Sequence, residues 1–232
     1  MRGLAPTRER ARALILAGQV TVSGQPVTKA GTAIDEEAPI ALVAPDHPYV
    51  GRGGLKLAQA LDTFQIPVAG RECLDIGAST GGFTDVLLQR GAARVVALDV
   101  GHGQIDWTLR TDPRVVVIEG FNARRLRLED LPGPVDLVTI DVSFISLRHI
   151  VPVVPPLLRP GADVIALVKP QFEAGRTEVR KGIIHDPAVR ARVVDEVTAA
   201  AAGVGLTAVG STPSPIAGQK GNVEILLHLR AA

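Results

Sequence analysis

Residues 72–83, which read ECLDIGASTGGF, decide the fold that this sequence predicts. The run ECLDI, residues 72–76, is mostly apolar and typical of a buried β-strand, and the glycine-rich segment after it leads into a helical stretch. A glycine-rich turn between a first strand and a first helix lets a cofactor approach the backbone and meet the helix N-terminus. The stretch therefore predicts the start of a cofactor-binding α/β domain.

Apolar runs and helical stretches alternate along the rest of the chain. A helix predicted around residues 54–65 carries Leu57, Leu61 and Phe64 on one face. The predicted strands are residues 72–76, 94–99, 114–118, 135–140, 162–168, 206–210 and 222–229, with helical stretches between most of them. Continuous apolar strands that alternate with helices favour a mostly parallel, seven-stranded sheet with helices on both faces.

The first 43 residues have a different pattern. Residues 6–17 predict a short helix, and Val20 and Val22 alternate as in a strand before a turn at Ser23-Gly24. Such a segment is too small to bury a core of its own. The Pro- and Gly-rich residues that follow indicate a linker. The predicted organisation is a small module over 1–43, a linker over 44–53 and the main domain over 54–232.

The composition excludes several classes of protein. Of 232 residues, 46% are hydrophobic and 21% are charged, which is typical of an ordered globular protein and not of a disordered one. Cys73 is the one cysteine, so a disulfide within the chain is excluded. No Cys/His cluster has zinc-ligand spacing, and we expect no metal. The sequence has neither a signal-peptide pattern nor the roughly 18 apolar residues of a membrane span, which favours a cytoplasmic protein without membrane contact.

The net charge of +1 carries little information, but the charge is unevenly distributed. The basic residues among the first 30 are Arg2, Arg8, Arg10, Arg12 and Lys29, against one acidic residue. A basic end on a near-neutral chain suggests contact with a polyanion, and a solvated helix face explains the same pattern equally well.

The glycine-rich turn favours one class of cofactor. A dinucleotide fingerprint needs glycine at position 79, where the sequence has Ser79. An acid two residues before the first glycine, here Asp75, is usual in S-adenosylmethionine sites, where it shapes the loop or attracts the cationic end of the ligand. Asp99 ends the second strand, where an acid commonly accepts hydrogen bonds from ribose hydroxyls. The predicted cofactor-binding residues are Asp75, Gly77, Ser79, Thr80, Gly81, Gly82, Phe83 and Asp99; a tight turn without a ligand is the alternative.

Five stretches of the sequence closely resemble a known family: LDIGASTGGFTDVLL (74–88), LDVGHGQ (98–104), DVSFISL (141–147), LVKPQFE (167–173) and GNVEILLHL (221–229). This is the TlyA (haemolysin A-like) family, within the wider group of FtsJ-like ribose 2′-O-methyltransferases. The resemblance implies a Rossmann-like methyltransferase domain that uses S-adenosylmethionine to methylate ribose 2′-hydroxyls. The implied partner is ribosomal RNA or a ribosomal subunit.

The resemblance also covers the N-terminal end. Residues 2–27 are similar to the later part of a small ribosomal-protein-like RNA-binding module. The family pattern has a further helix with an Arg-Leu-Asp start before this stretch, so the resemblance implies a truncated module here.

FtsJ-like enzymes use a Lys–Asp–Lys–Glu set, and each member has a counterpart in this sequence. The matching residues are Lys56 in GRGGLKL, Asp141 in TIDVSF, Lys169 in ALVKPQF and Glu224 in GNVEIL. The resemblance implies that Lys169 lies nearest the hydroxyl and that Lys56 completes the site. Asp141 and Glu224 would orient and stabilise the lysines, and Asp141 is also a cofactor-binding candidate. For each residue taken alone, a surface lysine or a structural ion pair is the alternative.

Other positions carry weaker signals. Asn122, after the third strand, either contacts the adenine end of the cofactor or caps a helix. Ser143 and Phe144 either line the target pocket or pack in the core, and a turn is favoured over catalysis for His185. The candidate RNA-binding residues are Arg8, Arg10, Arg12, Lys29, Arg176, Arg180 and Lys181; the last three lie in the loop 170–187 and either grip phosphates or are solvated.

Three alternative functions differ in class. A cytolysin or other membrane-active protein, suggested by the family's historical name, finds no support in a signal, a span or a basic amphipathic helix. A protein that keeps the cofactor fold without catalysis is disfavoured by the complete Lys–Asp–Lys–Glu set. A nicotinamide-dependent oxidoreductase is disfavoured by Ser79 in the glycine-rich turn. The sequence leaves the target nucleotide and the oligomeric state open.

Overall fold

The computed structural model describes residues 4–5, 8–16, 18–43, 47–175 and 177–232. Contacts between residues divide the chain into two compact units, Met1–Pro48 and Tyr49–Ala232. The boundary between these units falls inside the linker that was predicted over residues 44–53. The exact domain boundaries stay a prediction.

The smaller unit combines one helix with three short strands. Helix α1 spans Arg8–Leu16. Strands β1 (Val20–Val22), β2 (Gln25–Pro26) and β3 (Ile40–Leu42) form an antiparallel sheet in the order β2-β1-β3. Ser23 (φ 50°) and Gly24 (φ 78°) form the turn between β1 and β2, because a two-residue hairpin favours consecutive positive φ angles. The helix and the turn predicted for this segment are present.

The larger unit is an α/β domain. Its helices are α2 (Gly53–Thr63), α3 (Gly82–Gln89), α4 (Trp107–Arg110), α5 (Pro170–Glu173) and α6 (Pro187–Ala202). Its strands are β4 (Glu72–Ile76), β5 (Arg94–Leu98), β6 (Val115–Ile118), β7 (Val135–Ile140), β8 (Leu158–Val168), β9 (Leu206–Pro213) and β10 (Ile225–Ala231). They form one sheet in the order β6-β5-β4-β7-β8-β10-β9, in which β10 runs in the direction opposite to that of the other six strands. The predicted mostly parallel, seven-stranded sheet is confirmed.

Two connections in this unit contain 3₁₀ turns in place of α-helices. They are Ala123–Arg125 and Leu128–Asp130 between β6 and β7, and Leu147–His149, Val151–Val153 and Pro155–Leu157 between β7 and β8; a further 3₁₀ turn, Gln219–Gly221, precedes β10. Pro152, Pro155 and Pro156 explain the second connection, because proline lacks a backbone donor and breaks the interior of an α-helix.

Several predicted strand boundaries are wrong. β9 extends to Pro213 rather than to residue 210, β10 extends to Ala231 rather than to residue 229, and β5 and β6 differ by one residue. The starts of β8 and β10 also differ. β8 starts at Leu158 rather than at residue 162, because Leu158 pairs with Val135 ahead of a register shift, after which Leu137 pairs with Asp163. β10 starts at Ile225 rather than at residue 222, because the Asn222 side chain bonds to the loop before α6 and the chain joins the sheet only after it. Both differences arise from contacts between segments that are distant in sequence.

Hydrophobic side chains fill a layer on each face of the sheet. On one face α2 and α3 contribute Leu57, Leu61 and Leu87, and on the other face α6 contributes Val193 and Val197. All five are almost fully buried. Burial of a side chain of this size stabilises the fold by about 1.5–3 kcal/mol relative to exposure. The two layers confirm that helices cover both faces.

A buried carboxylate joins β8 to β10 and to the segment before β4. Asp163 accepts hydrogen bonds from Arg71 (2.7 Å), His228 Nε2 (2.8 Å) and Arg230 (3.0 and 3.1 Å). Burial opposes ionisation, but these hydrogen bonds outweigh it and hold the pKa of Asp163 below its usual value of 3.8. Because the folded pKa lies below the unfolded one, the carboxylate stabilises the fold above pH 3.8, and this contribution is lost as the pH falls further.

We expect Asp163→Asn to lower the free energy of unfolding by about 3 kcal/mol at neutral pH, because the substitution removes the buried charge that its partners share. Arg159→Gln is the matched control. Arg159 forms a more exposed ion pair with Asp136 (2.7 Å), and its loss should cost less than about 1 kcal/mol. Urea unfolding at several pH values measures both effects. The difference in the free energy of unfolding between wild type and Asp163→Asn should become smaller below pH 3.8. If this difference does not change with pH, the ionised carboxylate is not what stabilises the fold.

Candidate active site

The turn after β4 packs directly against the segment that follows β7. Gly77 (φ 87°) and Gly81 (φ 98°) adopt left-handed backbone angles, which glycine tolerates without strain. A Cβ at Gly77 would lie 2.5 Å from the carbonyl oxygen of Asp141, so a larger residue would push the two segments apart. Glycine at position 77 therefore brings the predicted cofactor loop and Asp141 together.

Asp99, which follows β5, is tied to the same loop. Its carboxylate accepts hydrogen bonds from the backbone N–H groups of Ser79 (2.7 Å) and Gly101 (2.7 Å). Ser79 (φ 50°) holds a left-handed angle that is costly for a residue with a side chain, and the bond to Asp99 stabilises it there. A carboxylate has about four acceptor positions, so Asp99 can also bind sugar hydroxyls.

Asp75 lies behind the loop and is fully buried. Its carboxylate accepts hydrogen bonds from the hydroxyl groups of Thr84 (2.7 Å) and Thr139 (2.9 Å). Burial raises the pKa of Asp75 to about 7, against the lowering effect of these two hydrogen bonds. Of the two roles predicted for Asp75, this position fits shaping of the loop and not contact with a ligand.

A cleft runs along the carboxyl ends of β4, β5, β7 and β8. Its larger part, about 460 Å³, is lined by residues that include Asp99, Val100, Phe121, Asn122 and Ile145. Its smaller part, about 250 Å³, is lined by residues that include Lys56, Thr80, Gly82, Phe83 and Lys169. Both parts share Gly77, Ser79, Asp141 and Ser143, so the cleft is continuous.

Gly81 differs from the other loop residues predicted to bind the cofactor. It precedes α3, and a Cβ at this position would overlap the side chain of Leu109. Gly81 lines neither part of the cleft as the described residues form it. The glycine is therefore required by packing beneath the loop, and the prediction that it contacts a cofactor is not supported by its position.

The four residues of the Lys–Asp–Lys–Glu set lie together as two ion pairs. The Nζ of Lys169, which follows β8, is 2.5 Å from Asp141 Oδ1 and donates a hydrogen bond to Ser143 Oγ (2.9 Å). The Nζ of Lys56, on α2, is 2.5 Å from Glu224 Oε2. Both lysines are largely buried. Because a buried charge without its partner costs several kcal/mol, each acid fixes the position of its lysine.

Glu173 is a buried acid that sequence reasoning missed. It ends α5, and its carboxylate accepts hydrogen bonds from Ser146 Oγ (2.5 Å) and from the backbone N–H of Leu147 (2.7 Å). These bonds join the loop that carries Asp141 to the loop that carries Lys169. The available signal was a glutamate inside the LVKPQFE motif, but its burial depends on contacts that a motif does not reveal.

Four weaker predictions can now be compared with the structure. Asn122 accepts a hydrogen bond from the backbone N–H of Arg124 (3.1 Å), so it caps a 3₁₀ turn while it also lines the larger part of the cleft. Ser143 lines both parts. Core packing of Phe144 is wrong: the residue is 82% exposed, because its left-handed angle (φ 64°) turns it out of the loop. His185 is exposed and lies in the extended segment before α6, outside the turn formed by residues 180–183, so its predicted role in a turn stays a prediction.

The predicted RNA-binding residues lie in three places. Arg180 and Lys181 are exposed on the loop between α5 and α6. Arg8, Arg12 and Lys29 are exposed in the smaller unit. Arg176 and the side chain of Arg10 lie outside the described residues.

The described ranges contain no group of three or more His, Cys, Asp or Glu side chains that could hold a metal ion. Within the same ranges, every helix is too short or too polar to span a bilayer.

Comparison with known proteins identifies the family. The FtsJ-like methyltransferase model matches residues 49–231, and the S4 domain model matches residues 1–40. The chain is 51% identical over 231 residues to the 16S/23S rRNA (cytidine-2′-O)-methyltransferase TlyA of Mycobacterium tuberculosis, covering 99% of this chain and 86% of the relative. It is 44% identical to Hemolysin A of Brachyspira hyodysenteriae, covering 97% and 95% of the two chains.

Solved structures agree with the fold. A structure from Streptococcus thermophilus that carries a hemolysin name matches with a TM-score of 0.83 at 44% identity, covering 99% of this chain and 85% of that one. The N-methyltransferase NodS of Bradyrhizobium japonicum WM9, solved with S-adenosyl-L-homocysteine, shares the fold at 15% identity, with a TM-score of 0.54 over 81% and 89% of the chains. The predicted resemblance is confirmed, and this chain belongs to the FtsJ-like methyltransferase family and carries an S4 domain at its N-terminal end.

Proposed function

We propose that this protein transfers the methyl group of S-adenosylmethionine to a ribose 2′-hydroxyl of ribosomal RNA. The observation that carries the proposal is the cluster of Lys169, Asp141 and Ser143, which lies in one cleft with the glycine-rich loop. The name of the Mycobacterium tuberculosis relative, an rRNA (cytidine-2′-O)-methyltransferase, supports the substrate. Membership of a methyltransferase family favours this reaction over the cytolysin and oxidoreductase alternatives.

The larger part of the cleft suits the nucleoside end of the cofactor. A volume of about 460 Å³ is within the range of small-molecule sites. Asp99 offers acceptors to ribose hydroxyls, Asn122 offers amide groups to adenine, and Val100, Phe121 and Ile145 provide an apolar wall. The backbone of Gly77 lines this part of the cleft. When bound, S-adenosylmethionine supplies an electrophilic methyl group.

The smaller part of the cleft carries out the proton chemistry. The ribose hydroxyl must be aligned, and it must lose its proton at or near the moment of transfer. Lys169 in its neutral form accepts this proton at Nζ, and Asp141 stabilises the ammonium group that results. Ser143 Oγ fixes the direction of Nζ through its hydrogen bond. Lys56, held by Glu224, supplies a positioned cation to the target nucleotide.

The unpaired cations of the larger unit support an RNA substrate. The exposed basic residues without a carboxylate partner, among those described, are Arg52, Arg124, Arg125, Arg180, Lys181 and Lys220. All lie on segments at the carboxyl-end edge of the sheet, beside other arginines, such as Arg110 and Arg148, that do pair with acids. A cation without an internal partner is available to RNA phosphates. The exposed ring of Phe144, beside Ser143, offers a stacking face to an unpaired base.

The S4 domain supports the same substrate. Its described side chains include the exposed Arg8, Arg12 and Lys29, which are cations of the kind that contact the RNA backbone. These residues stay candidates for contacts that hold the RNA while the larger unit carries out the transfer.

We expect Lys169→Ala to lower methyl transfer by about 10²- to 10⁴-fold, because the group that accepts the hydroxyl proton is removed. The assay uses labelled S-adenosylmethionine with ribosomal RNA or subunits from a strain that lacks this gene. Nuclease digestion then assigns the label to ribose or to base. Cofactor binding, measured by calorimetry, should stay within a few-fold of wild type.

Arg159→Gln, at the amino end of β8, is the control for this experiment and should retain full activity. If Lys169→Ala still labels ribose, Lys169 is not the group that accepts the hydroxyl proton. Label on a base in the wild-type reaction would overturn the proposed acceptor.

We expect Glu173→Ala to lower turnover by between about 10- and 100-fold, because the loops that carry Asp141 and Lys169 lose their shared anchor. Glu173→Gln should recover most of the activity, because an amide can still bond to both partners. Turnover is compared with Asp163→Asn, a variant destabilised far from the cleft, at a temperature where both are folded. Equal turnover of Glu173→Ala and Asp163→Asn would show that Glu173 serves stability alone.

A further inference from the structure

Two Lys–Gly dipeptides adopt the same unusual backbone. Lys181 (φ 52°) and Gly182 (φ 84°) form the tip of a turn that is closed by mutual hydrogen bonds between the backbones of Arg180 and Ile183 (both 3.0 Å). Lys220 (φ 58°) and Gly221 (φ 86°) form the tip of the turn before β10. Left-handed angles are normal for glycine and strained for lysine. We call residues 180–183 and 218–222 the paired Lys–Gly turns.

The paired Lys–Gly turns are fastened to each other. Asn222 is buried, and its side-chain amide donates to the Gly182 carbonyl (2.8 Å) and accepts from the backbone N–H of Ile184 (3.1 Å). The Lys220 ammonium donates to the Lys181 carbonyl (3.3 Å). The two turns therefore form one rigid feature and not two independently solvated loops.

The same feature lies against the candidate active site. A Cβ at Gly218 would overlap the carboxylate of Glu224, so the second turn packs onto that side chain. Glu224 holds Lys56 in the cleft. An anion bound at the paired turns would thus lie on the side of the cleft where Glu224 holds Lys56.

The charge of the feature is not balanced internally. Arg180, Lys181 and Lys220 are exposed, and none has a carboxylate partner in the part of the chain that the structure describes. Asparagine or glycine would adopt either left-handed conformation with less strain. A lysine at these positions therefore adds a positive charge but destabilises the backbone conformation. Strain retained at a rigid, unbalanced cationic feature beside a cleft is typical of a binding site.

We propose that the paired Lys–Gly turns bind a backbone phosphodiester of the RNA strand next to the nucleotide that is methylated. This assignment rests on the proposed function. An ammonium group recognises phosphate as a point charge, and the contact fixes the position of the strand without reading its sequence. The site would thus position the target ribose in register with Lys169.

The test is the double variant Lys181→Asn/Lys220→Asn, which removes both charges and keeps residues that tolerate the left-handed backbone. Lys181→Arg/Lys220→Arg retains the charges. Arg94→Gln/Arg159→Gln removes two charges at the opposite edge of the sheet and controls for net charge. Binding of a ribosomal RNA fragment and of ribosomal subunits is measured at several salt concentrations, with transfer kinetics and the unfolding midpoint of each variant.

The double asparagine variant should fold as stably as wild type and bind S-adenosylmethionine equally well. Its KM for RNA should rise by about tenfold or more, and the slope of log affinity against log salt should become shallower by about 0.7–0.9, as expected for the loss of one phosphate contact. The arginine variant should stay close to wild type, and so should the distant double variant.

The proposed site would be overturned if the double asparagine variant kept the RNA affinity and the salt slope of wild type. It would also be overturned if the distant double variant lost as much RNA affinity as the double asparagine variant. A loss that is seen with subunits but not with the RNA fragment would assign the surface to a protein partner instead. The proposed function fails separately, if wild type itself places no label on ribose. Suppose that wild type labels ribose, that Lys169→Ala does not, and that the double asparagine variant behaves like wild type. In that case the proposed function stands and only the phosphodiester site fails.

Discussion

Parallel pairing of β4, β7 and β8 is the constraint on which the candidate site depends. Ile76 pairs with Ile140, and Ile140 pairs with Ala166, so the segments that follow these strands leave the sheet at one edge. The Asp141 N–H then bonds to the Ile76 carbonyl (2.9 Å) and extends this pairing beyond the strand ends. A slip of one residue would turn every side chain to the other face of the sheet. The register therefore holds Asp141 beside the glycine-rich loop.

Buried polar side chains give the loops at this edge their shape. Asp75 is held between two threonine hydroxyls, Glu173 joins two loops, and Asn222 fastens the paired Lys–Gly turns. Each of them would cost stability if its partners moved away, because a buried polar group without a hydrogen bond loses its solvation. Hydrophobic packing fixes the helices and strands, and these polar contacts fix the loops that carry Asp141, Lys169 and Glu224.

The sequence predicted the strands of the larger unit, and its resemblance to a family indicated the four residues that form the two ion pairs, but both missed what depends on contacts between loops. β4 and β7 match the predictions because an apolar run marks a buried strand directly. Of the two alternatives for Phe144, core packing is wrong, because an aromatic residue after a strand does not indicate that the backbone adopts a left-handed angle there. Burial of Glu173 was not predicted, because it depends on a loop 26 residues away in sequence. For the same reason the sequence did not indicate a role for Lys220, because its contact with the Lys181 carbonyl joins two loops that are distant in sequence.

The two edges of the sheet use charge in opposite ways. At the amino edge, Asp163 is surrounded by Arg71, His228 and Arg230, and the charges satisfy each other within the protein. At the carboxyl edge, the buried lysines are paired and so is the exposed Arg148, but Arg180, Lys181 and Lys220 have no carboxylate partner among the described residues. Matched charges lower the attraction for an external anion, and unmatched charges preserve it at the expense of mutual repulsion. The unmatched cations are therefore best explained by a polyanion that binds across the carboxyl edge, where the candidate catalytic residues lie.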